Sequence, residues 1–221
     1  MSPWIKICGV NDAAAINAAA ASGATHIGFV FDARSARYVP PGKARDLAAI
    51  TPTTLRTVGL IVDARDPEID AIMLTFTPHL WQLHGSESPE RAADIRARTG
   101  RPVAKAFGIG NASDVKAASA FDAVVDVLLF DAKPPASDPS LPPGGHGQAF
   151  DWAHVRDLHL QRPWFLAGGL RPDSVAEAIR IARPHGVDVS SGVEQTPGQK
   201  DPDLIRAFCA NARDAFAKLD R

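Results

Sequence analysis

Cysteine and long apolar runs are both scarce in this chain, and each scarcity excludes a class of protein. Only Cys8 and Cys209 occur among 221 residues, too few for a disulfide framework. The amino-terminal stretch has no basic segment followed by an apolar one, and no apolar run approaches the ~20 residues of a membrane-spanning helix. Lys and Arg number 24 against 25 Asp and Glu, and this net charge of −1 gives no excess suited to nucleic acid or an anionic membrane. We therefore expect a cytoplasmic protein with neither of those partners.

Short apolar runs alternate regularly with longer, Ala-rich segments whose charged residues recur at helical spacing. Eight runs predict strands, at residues 4–8, 26–31, 56–62, 79–83, 102–107, 123–130, 164–167 and 187–189. Near-continuous apolar strands separated by helices indicate a parallel sheet covered on both faces. Eight strand–helix units are the number that closes a (β/α)8 TIM barrel. An open, doubly wound sheet is the alternative, because alternation alone does not show closure.

Helix signals stand between the predicted strands. Asn11 or Asp12 is suited to cap a first helix that Gly23 ends, and Ser88 precedes Pro89 as a cap precedes the first helical position. One stretch, 132–148, is irregular and rich in Pro and Gly. Loops of this length are either lids and binding loops or tolerated insertions. Because it follows a strand, at the end where barrels place their chemistry, we expect a long active-site loop.

The carboxyl-terminal ends of the strands carry the candidate catalytic residues, since these ends converge in a barrel. Cys8 ends the first strand and is either a small buried hydrophobe or a reactive thiolate. Asp131 follows the sixth and either starts a turn or serves as a general acid. Cys209 lies within the last helix, where packing is the expected role.

Glycine turns follow the last two strands, at Gly168-Gly169 and Ser191-Gly192. Glycine is ordinary in turns, but barrels commonly bind phosphate at these two positions through backbone N–H groups. Arg37, in the loop after the second strand, either faces solvent or binds a carboxylate through two parallel hydrogen bonds from its guanidinium group.

Motifs for cofactors are not found. The glycines at 108 and 110 are followed by Ser113 where the dinucleotide fingerprint needs a third glycine. The seven histidines form no HExxH pattern, and His79 and His84 are predicted on opposite faces of a strand. We expect neither a metal nor a nucleotide cofactor.

A series of short motifs runs through essentially the whole chain. They are 6–9 (KICG), 35–39 (SARYV), 82–85 (QLHG), 128–131 (LLFD), 144–147 (GGHG), 150–152 (FDW), 167–170 (AGGL), 188–194 (DVSSGVE) and 197–201 (PGQKD). Individually short but jointly specific, they make the chain resemble the phosphoribosylanthranilate isomerase family of tryptophan biosynthesis. The resemblance implies one (β/α)8 barrel over residues 1–221.

The resemblance also implies a reaction without a cofactor. It is an Amadori rearrangement that converts N-(5-phosphoribosyl)anthranilate to its carboxyphenylamino-deoxyribulose phosphate isomer. An acid protonates the ribose ring oxygen to open the ring, and a base then takes the C2′ proton. The family's acid matches Asp131, its base matches Cys8, and the residue that grips the anthranilate carboxylate matches Arg37.

Further substrate contacts follow from the same matches. Gln82, His84 and Asp188 match positions at the substrate, although Asp188 is alternatively a buried polar group satisfied within the barrel. Phosphate would be held by the backbone at Gly145, Gly168, Gly169, Ser191 and Gly192. A monomer that binds a small phosphosugar is expected.

Three features depart from the family pattern. Ala36 stands where proline is usual, which loosens the support of Arg37, and His146 replaces a small hydroxyl residue in the loop. His146 either adds a titratable contact or points into solvent. The loop is also longer than usual.

Two other functions remain as alternatives. The histidine-pathway isomerase performs the same rearrangement on a barrel, but it carries aspartate where Cys8 stands. A catalytically silent phosphosugar-binding barrel would need neither an acid nor a base.

Overall fold

Eight parallel strands pair in chain order and close on themselves in the computed structural model, which describes residues 3–133, 150–156, 158 and 160–219. The strands are β1 (Trp4–Cys8), β2 (His26–Val30), β3 (Arg56–Ile61), β4 (Leu80–Leu83), β5 (Val103–Ile109), β6 (Val127–Ala132), β7 (Trp164–Leu166) and β8 (Gly186–Val189). Closure comes from the pairing of β1 with both β2 and β8. The predicted TIM barrel is confirmed, and the open-sheet alternative is wrong.

Helices connect the strands on the outside of the barrel. They are α1 (Ala13–Ala21), α2 (Pro41–Ala49), α3 (Asp66–Met73), α4 (Pro89–Thr99), α5 (Ala112–Ala118), α6 (Val175–Ala182) and α7 (Pro202–Leu219). Of the two candidates for the first cap, Asp12 accepts a backbone N–H group of α1, and the predicted cap Ser88 is confirmed because it accepts one of α4. Between β6 and β7, the described residues contain a short 3-10 helix, Trp152–Val155. Among the described residues, no helix is long and apolar enough to cross a membrane.

The predicted bounds of the sixth strand were wrong. Residues 123–126 belong to a turn, in which the N–H groups of Val124 and Val125 donate to the Phe121 carbonyl at 2.9 and 3.0 Å. The apolar run in the sequence therefore begins before the strand does. As a result β6 starts at Val127, and Asp131 lies within the strand and not after it.

A short antiparallel hairpin after β8 was not predicted. It consists of β9 (Glu194–Thr196) and β10 (Gln199–Lys200), joined by a turn at Gly198 with φ of +83°. Neither strand has the apolar alternation from which strands are recognised, because the hairpin is polar and mostly exposed.

Side chains alternate between two apolar layers along the barrel strands. The inner layer fills the barrel and consists of Val58, Leu80, Ala104, Ala106, Val127, Leu129, Phe165 and Ala167. The outer layer packs the strands against the helices and is the larger of the two. A third cluster of Cys8, Val30 and Leu60 lies apart from both, and its members end their strands or lie near the end, at the carboxyl-terminal mouth of the barrel.

The predicted active-site loop, 132–148, lies outside the described residues apart from its first two positions, and so do Gly145 and His146. Their roles therefore stay predictions.

The tight interior predicts opposite effects for two glycine-to-alanine changes. A Cβ at Gly186 would lie 2.5 Å from the Trp4 carbonyl oxygen and 2.9 Å from the Phe165 ring. Gly186→Ala should therefore lower the free energy of unfolding by about 1–3 kcal/mol, the usual cost of overpacking. Urea unfolding followed by circular dichroism measures it.

Gly42 in α2 is the matched control, because a Cβ there meets nothing within 4 Å. Gly42→Ala should raise stability by up to ~1 kcal/mol, since alanine is the better helix former. Equal effects of the two substitutions would contradict the described packing of the barrel.

Candidate active site

One pocket opens at the carboxyl-terminal mouth of the barrel, and it brings most of the predicted site residues together. Of those predicted, Cys8, Arg37, His84, Asp131, Gly168, Gly169, Asp188 and Ser191 line it. Gln82 and Gly192 do not line it, but Gln82 contacts the lining residue His84 and Gly192 packs against the backbone of the lining residue Leu170. No group of three or more His, Cys, Asp and Glu side chains within the described ranges is placed to hold a metal ion.

Cys8 lies beside a buried ion pair that the sequence analysis missed. Lys6, two residues earlier on β1, faces the same way and donates from Nζ to Asp188 Oδ1 at 2.9 Å. Gly28 on β2 leaves room for both side chains, since a Cβ there would lie 3.1 Å from Cys8 Sγ and 3.3 Å from Lys6 Cε. The period-2 spacing of Lys6 and Cys8 was the signal in the sequence that could have found this lysine.

The charges around Cys8 oppose one another. Burial raises the pKa of the Cys8 thiol and the Asp188 carboxylate adds to the rise, whereas the ammonium groups of Lys6 and Lys200 counteract it. Burial alone would lower the pKa of Lys6, but Asp188 and Cys8 outweigh it, so the pKa of Lys6 is raised. Lys6 therefore stays protonated, and a cation stands next to the thiol.

Asp131, His84 and Gln82 form a chain of contacts on the other side of the pocket. Gln82 Nε2 lies 3.0 Å from His84 Nδ1, and His84 Nε2 lies 3.4 Å from Asp131 Oδ2. The Gln82 amide donates to Nδ1, and Nε2 of the imidazole faces the Asp131 carboxyl group. Gln82 is 1% exposed, so it orients His84 from below the pocket floor and is not placed to touch a ligand in the pocket.

Arg37 enters the pocket from the loop after β2, and a glutamate holds it there. Its Nε and Nη2 donate to the two carboxylate oxygens of Glu194, both at 2.8 Å. Lys200 Nζ donates to the same carboxylate at 2.7 Å. Burial pushes the pKa of Glu194 up, but Arg37 and Lys200 outweigh it and hold that pKa below its ordinary value.

Glu194 and Lys200 were not among the predicted site residues, although both stand in the quoted motifs 188–194 and 197–201. Neither follows a barrel strand directly, so their positions in the sequence do not mark them as candidates. The hairpin that carries them could not be recognised from its polar sequence.

The two glycine turns lie against each other at the rim of the pocket. Gly168 and Gly169 adopt φ of +82° and +65°, which favour glycine. A Cβ at Gly192 would lie 1.9 Å from the Leu170 carbonyl oxygen, so only glycine lets the turn after β8 approach the turn after β7 this closely. Ser191 begins a 3-10 helix, Ser191–Val193. The pair of turns brings backbone groups together at the rim, an arrangement suited to binding an anion.

Comparison with known proteins gives consistent matches over nearly the whole chain. The family model of N-(5′-phosphoribosyl)anthranilate (PRA) isomerase matches residues 5–211. The N-(5′-phosphoribosyl)anthranilate isomerase of Paracoccus denitrificans is 48% identical over 212 residues, covering 96% of this chain and 98% of that protein.

Solved structures agree. The phosphoribosylanthranilate isomerase of Thermotoga maritima superimposes with a TM-score of 0.85 at 36% identity, covering 96% of this chain and 99% of that one. A phosphoribosylanthranilate isomerase in complex with reduced 1-(o-carboxyphenylamino)-1-deoxyribulose 5-phosphate gives a TM-score of 0.82 at 33% identity, with coverage of 96% and 99%.

A closed (β/α)8 barrel with polar and ionisable groups gathered in one pocket at its carboxyl-terminal mouth defines a TIM-barrel enzyme. The matches define it more narrowly. The chain belongs to the N-(5′-phosphoribosyl)anthranilate isomerase family, and the family expected from the motifs is confirmed.

The pocket predicts which cysteine reacts with a small alkylating reagent. Cys8 lines the pocket, whereas Cys209 is fully buried in α7 and burial raises its pKa to about 12. Iodoacetamide should modify Cys8 and leave Cys209 intact in the folded protein. Because the thiolate is the reactive form and the pKa of Cys8 is raised, the rate should increase as the pH rises.

Peptide mass spectrometry after timed quenching measures both sites. Cys8→Ser should abolish the labelling of the folded protein, and unfolding in urea should expose Cys209 in both forms. Labelling of Cys209 as fast as Cys8, or a rate independent of pH, would contradict the described environment.

Proposed function

We propose that this chain catalyses the Amadori rearrangement of N-(5-phosphoribosyl)anthranilate to 1-(2-carboxyphenylamino)-1-deoxyribulose 5-phosphate in tryptophan biosynthesis. The observation that carries the proposal is a single pocket lined by Cys8, Arg37 and Asp131, in a member of this isomerase family. The related structure bound to a reduced form of this product adds support.

Asp131 acts as the general acid that opens the ribose ring. Its proton passes to the ring oxygen, the bond between that oxygen and C1′ breaks, and the lone pair of the anthranilate nitrogen forms a C1′=N iminium. Asp131 Oδ1 accepts the Ala132 N–H at 2.8 Å, so Oδ2, on the side of His84, is the oxygen available to the substrate. General acid catalysis needs such a positioned group.

Cys8 acts as the general base in the second step. Its thiolate takes the C2′ proton, and the electrons of that C–H bond form C1′=C2′ while the iminium nitrogen regains its lone pair. The C2′ hydroxyl then loses its proton to water and C1′ takes a proton from water, which gives the ketone. Proton exchange with water returns Cys8 to the thiolate and Asp131 to the acid. β1 and β6 are separated by β7 and β8 around the barrel, which places the acid and the base on different sides of the mouth.

The thiolate is supported by cations. Lys6 is held beside Cys8 by Asp188, and Lys200 contributes from β10. Both lower the pKa of Cys8 relative to burial alone, which favours the form of the thiol that can accept a proton.

The remaining groups bind the two ends of the substrate. Arg37 grips the anthranilate carboxylate, and the backbone around Gly168, Gly169, Ser191 and Gly192 holds the phosphate, with Gly145 predicted to assist. Asp188 is assigned to the substrate amine, and its Oδ1 accepts from Lys6. His84 contacts the substrate directly, and Gln82 contributes by orienting His84.

The oligomeric state stays a prediction, and we expect a monomer. Light scattering coupled to size-exclusion chromatography measures the mass, and a mass twice 23.5 kDa would contradict it. A cytoplasmic location also stays a prediction.

The assigned roles predict distinct mutant phenotypes. Cys8→Ala and Asp131→Asn should lower kcat by roughly 100-fold or more, the usual effect of losing a general acid or base, with little change in KM. Arg37→Ala should mainly raise KM. The decay of anthranilate fluorescence, after the protein is added to freshly made phosphoribosylanthranilate, measures both constants.

Two conservative variants serve as controls. Cys209→Ser removes the other thiol, and Asp126→Asn alters a carboxylate that precedes β6, at the opposite end of the strand from Asp131. Both should retain turnover. Near-wild-type rates in Cys8→Ala or Asp131→Asn would reject the assigned roles, and a wild-type protein without any decay would favour a silent phosphosugar-binding barrel.

A further inference from the structure

We propose that Glu194 and Lys200, carried by the β9–β10 hairpin, are positioning residues that hold Arg37 in the orientation needed for the substrate carboxylate. The proposal rests on the proposed function, because it deepens the role given there to Arg37. Glu194 and Lys200 are not among the described residues that line the pocket, so they act through Arg37 and not on the substrate.

The Arg37–Glu194 pair has a geometry that fixes the orientation of the arginine side chain. Two parallel hydrogen bonds of 2.8 Å join Nε and Nη2 to the two carboxylate oxygens. This two-pronged contact fixes the plane of the guanidinium as well as its position. It occupies one edge of the guanidinium and leaves Nη1 for a second carboxylate. The Glu194 side chain is only 3% exposed, so solvent competes little for the pair.

Lys200 fixes Glu194 from the other side. Its side chain is fully buried, and Nζ donates to Glu194 Oε1 at 2.7 Å and to the Ser190 carbonyl oxygen at 3.0 Å. Ser190 precedes the glycine turn Ser191-Gly192, and its hydroxyl donates to the Cys8 carbonyl oxygen at 3.2 Å. The Lys200 ammonium group therefore connects Glu194 to Ser190. Through Ser190 it is also connected to β1, the strand that carries Cys8.

The hairpin also packs against the backbone that carries Arg37. At Gly198, a Cβ would lie 2.4 Å from the Ala36 carbonyl oxygen, and Asn11 Nδ2 donates to the Gly198 carbonyl at 2.8 Å. The stem of Arg37 lies over Gly9, where a Cβ would be 2.6 Å from Arg37 Cδ. The hairpin therefore contacts the backbone at Ala36, the residue directly before Arg37.

The central variant is Glu194→Gln. Glutamine keeps the size and an oxygen for Lys200, but its amide nitrogen cannot accept from Arg37, so the two-pronged contact is lost. KM should rise about tenfold, in line with the loss of a hydrogen bond to a charged group, while kcat stays within about threefold. The decay of anthranilate fluorescence measures both, with Gln195→Ala, an exposed neighbour on β9, as the matched control.

A double-mutant cycle tests whether Glu194 acts through Arg37. In the Arg37→Ala background, Glu194→Gln should change KM less than about twofold, because the group it positions is gone. If the rise in KM of the double variant equals the product of the rises in the two single variants, the proposal is overturned. A fall in kcat with unchanged KM would overturn it as well.

Binding measurements separate positioning from general loss of structure and do not depend on turnover. Titration with reduced 1-(o-carboxyphenylamino)-1-deoxyribulose 5-phosphate should show about tenfold weaker binding to the Glu194→Gln variant, because this ligand carries the carboxylate. Inorganic phosphate should bind the variant and the wild type equally. If the variant binds both ligands more weakly by the same factor, the proposal is overturned.

If Glu194→Gln does not fold, Glu194→Asp keeps the charge that pairs with Lys200, and its shorter side chain should still weaken binding of the reduced ligand alone. A folded Asp variant that binds it as the wild type does would contradict the proposal. Absence of turnover in the wild type would reject the proposed function, whereas the two binding titrations would still decide the role of Glu194.

Discussion

The pairing of β1 with β8 closes the barrel, and the arrangement of the pocket depends on it. In this pairing Lys6 lies directly opposite Asp188, and closure buries both charges as an ion pair. A buried charge without a partner costs several kcal/mol, so the two charges make each other's burial tolerable. A slip of one residue would turn one of them to the other face of the sheet. The ion pair thereby favours a single register, and that register places Cys8 and Ser190 side by side at the mouth.

Charge at the pocket is distributed in pairs. Lys6 pairs with Asp188, Arg37 with Glu194, and Lys200 with the same glutamate. With a net charge of −1, the chain as a whole exerts no attraction on a substrate that carries a carboxylate and a phosphate. Recognition therefore rests on local donors with fixed directions. Donors keep a fixed direction when the groups that hold them are shielded from solvent, and the side chains of Glu194 and Lys200 are buried.

The sequence predicted much of the fold and the identities of several pocket residues. Apolar runs at regular spacing predicted the barrel, and positions at strand ends predicted Cys8 and Asp131. Gln82 was predicted at the substrate but lies beneath His84, because the depth of a side chain inside a barrel depends on strand stagger, which a linear pattern does not contain. The apolar residues of the turn at 123–126 follow the same pattern as a strand, although they form no strand pairing.

What the sequence determined by itself was local: which segments form strands and helices, where caps and glycine turns fall, and which residues stand at strand ends. These properties depend on residues within a few positions of one another, so periodicity and turn chemistry reveal them. Only the tertiary structure decided that Lys6 meets Asp188 and that Arg37 meets Glu194. Those partners are separated by more than 150 residues, and barrel closure together with the docking of a polar hairpin brings them into contact. Such contacts exist only once the whole chain has folded.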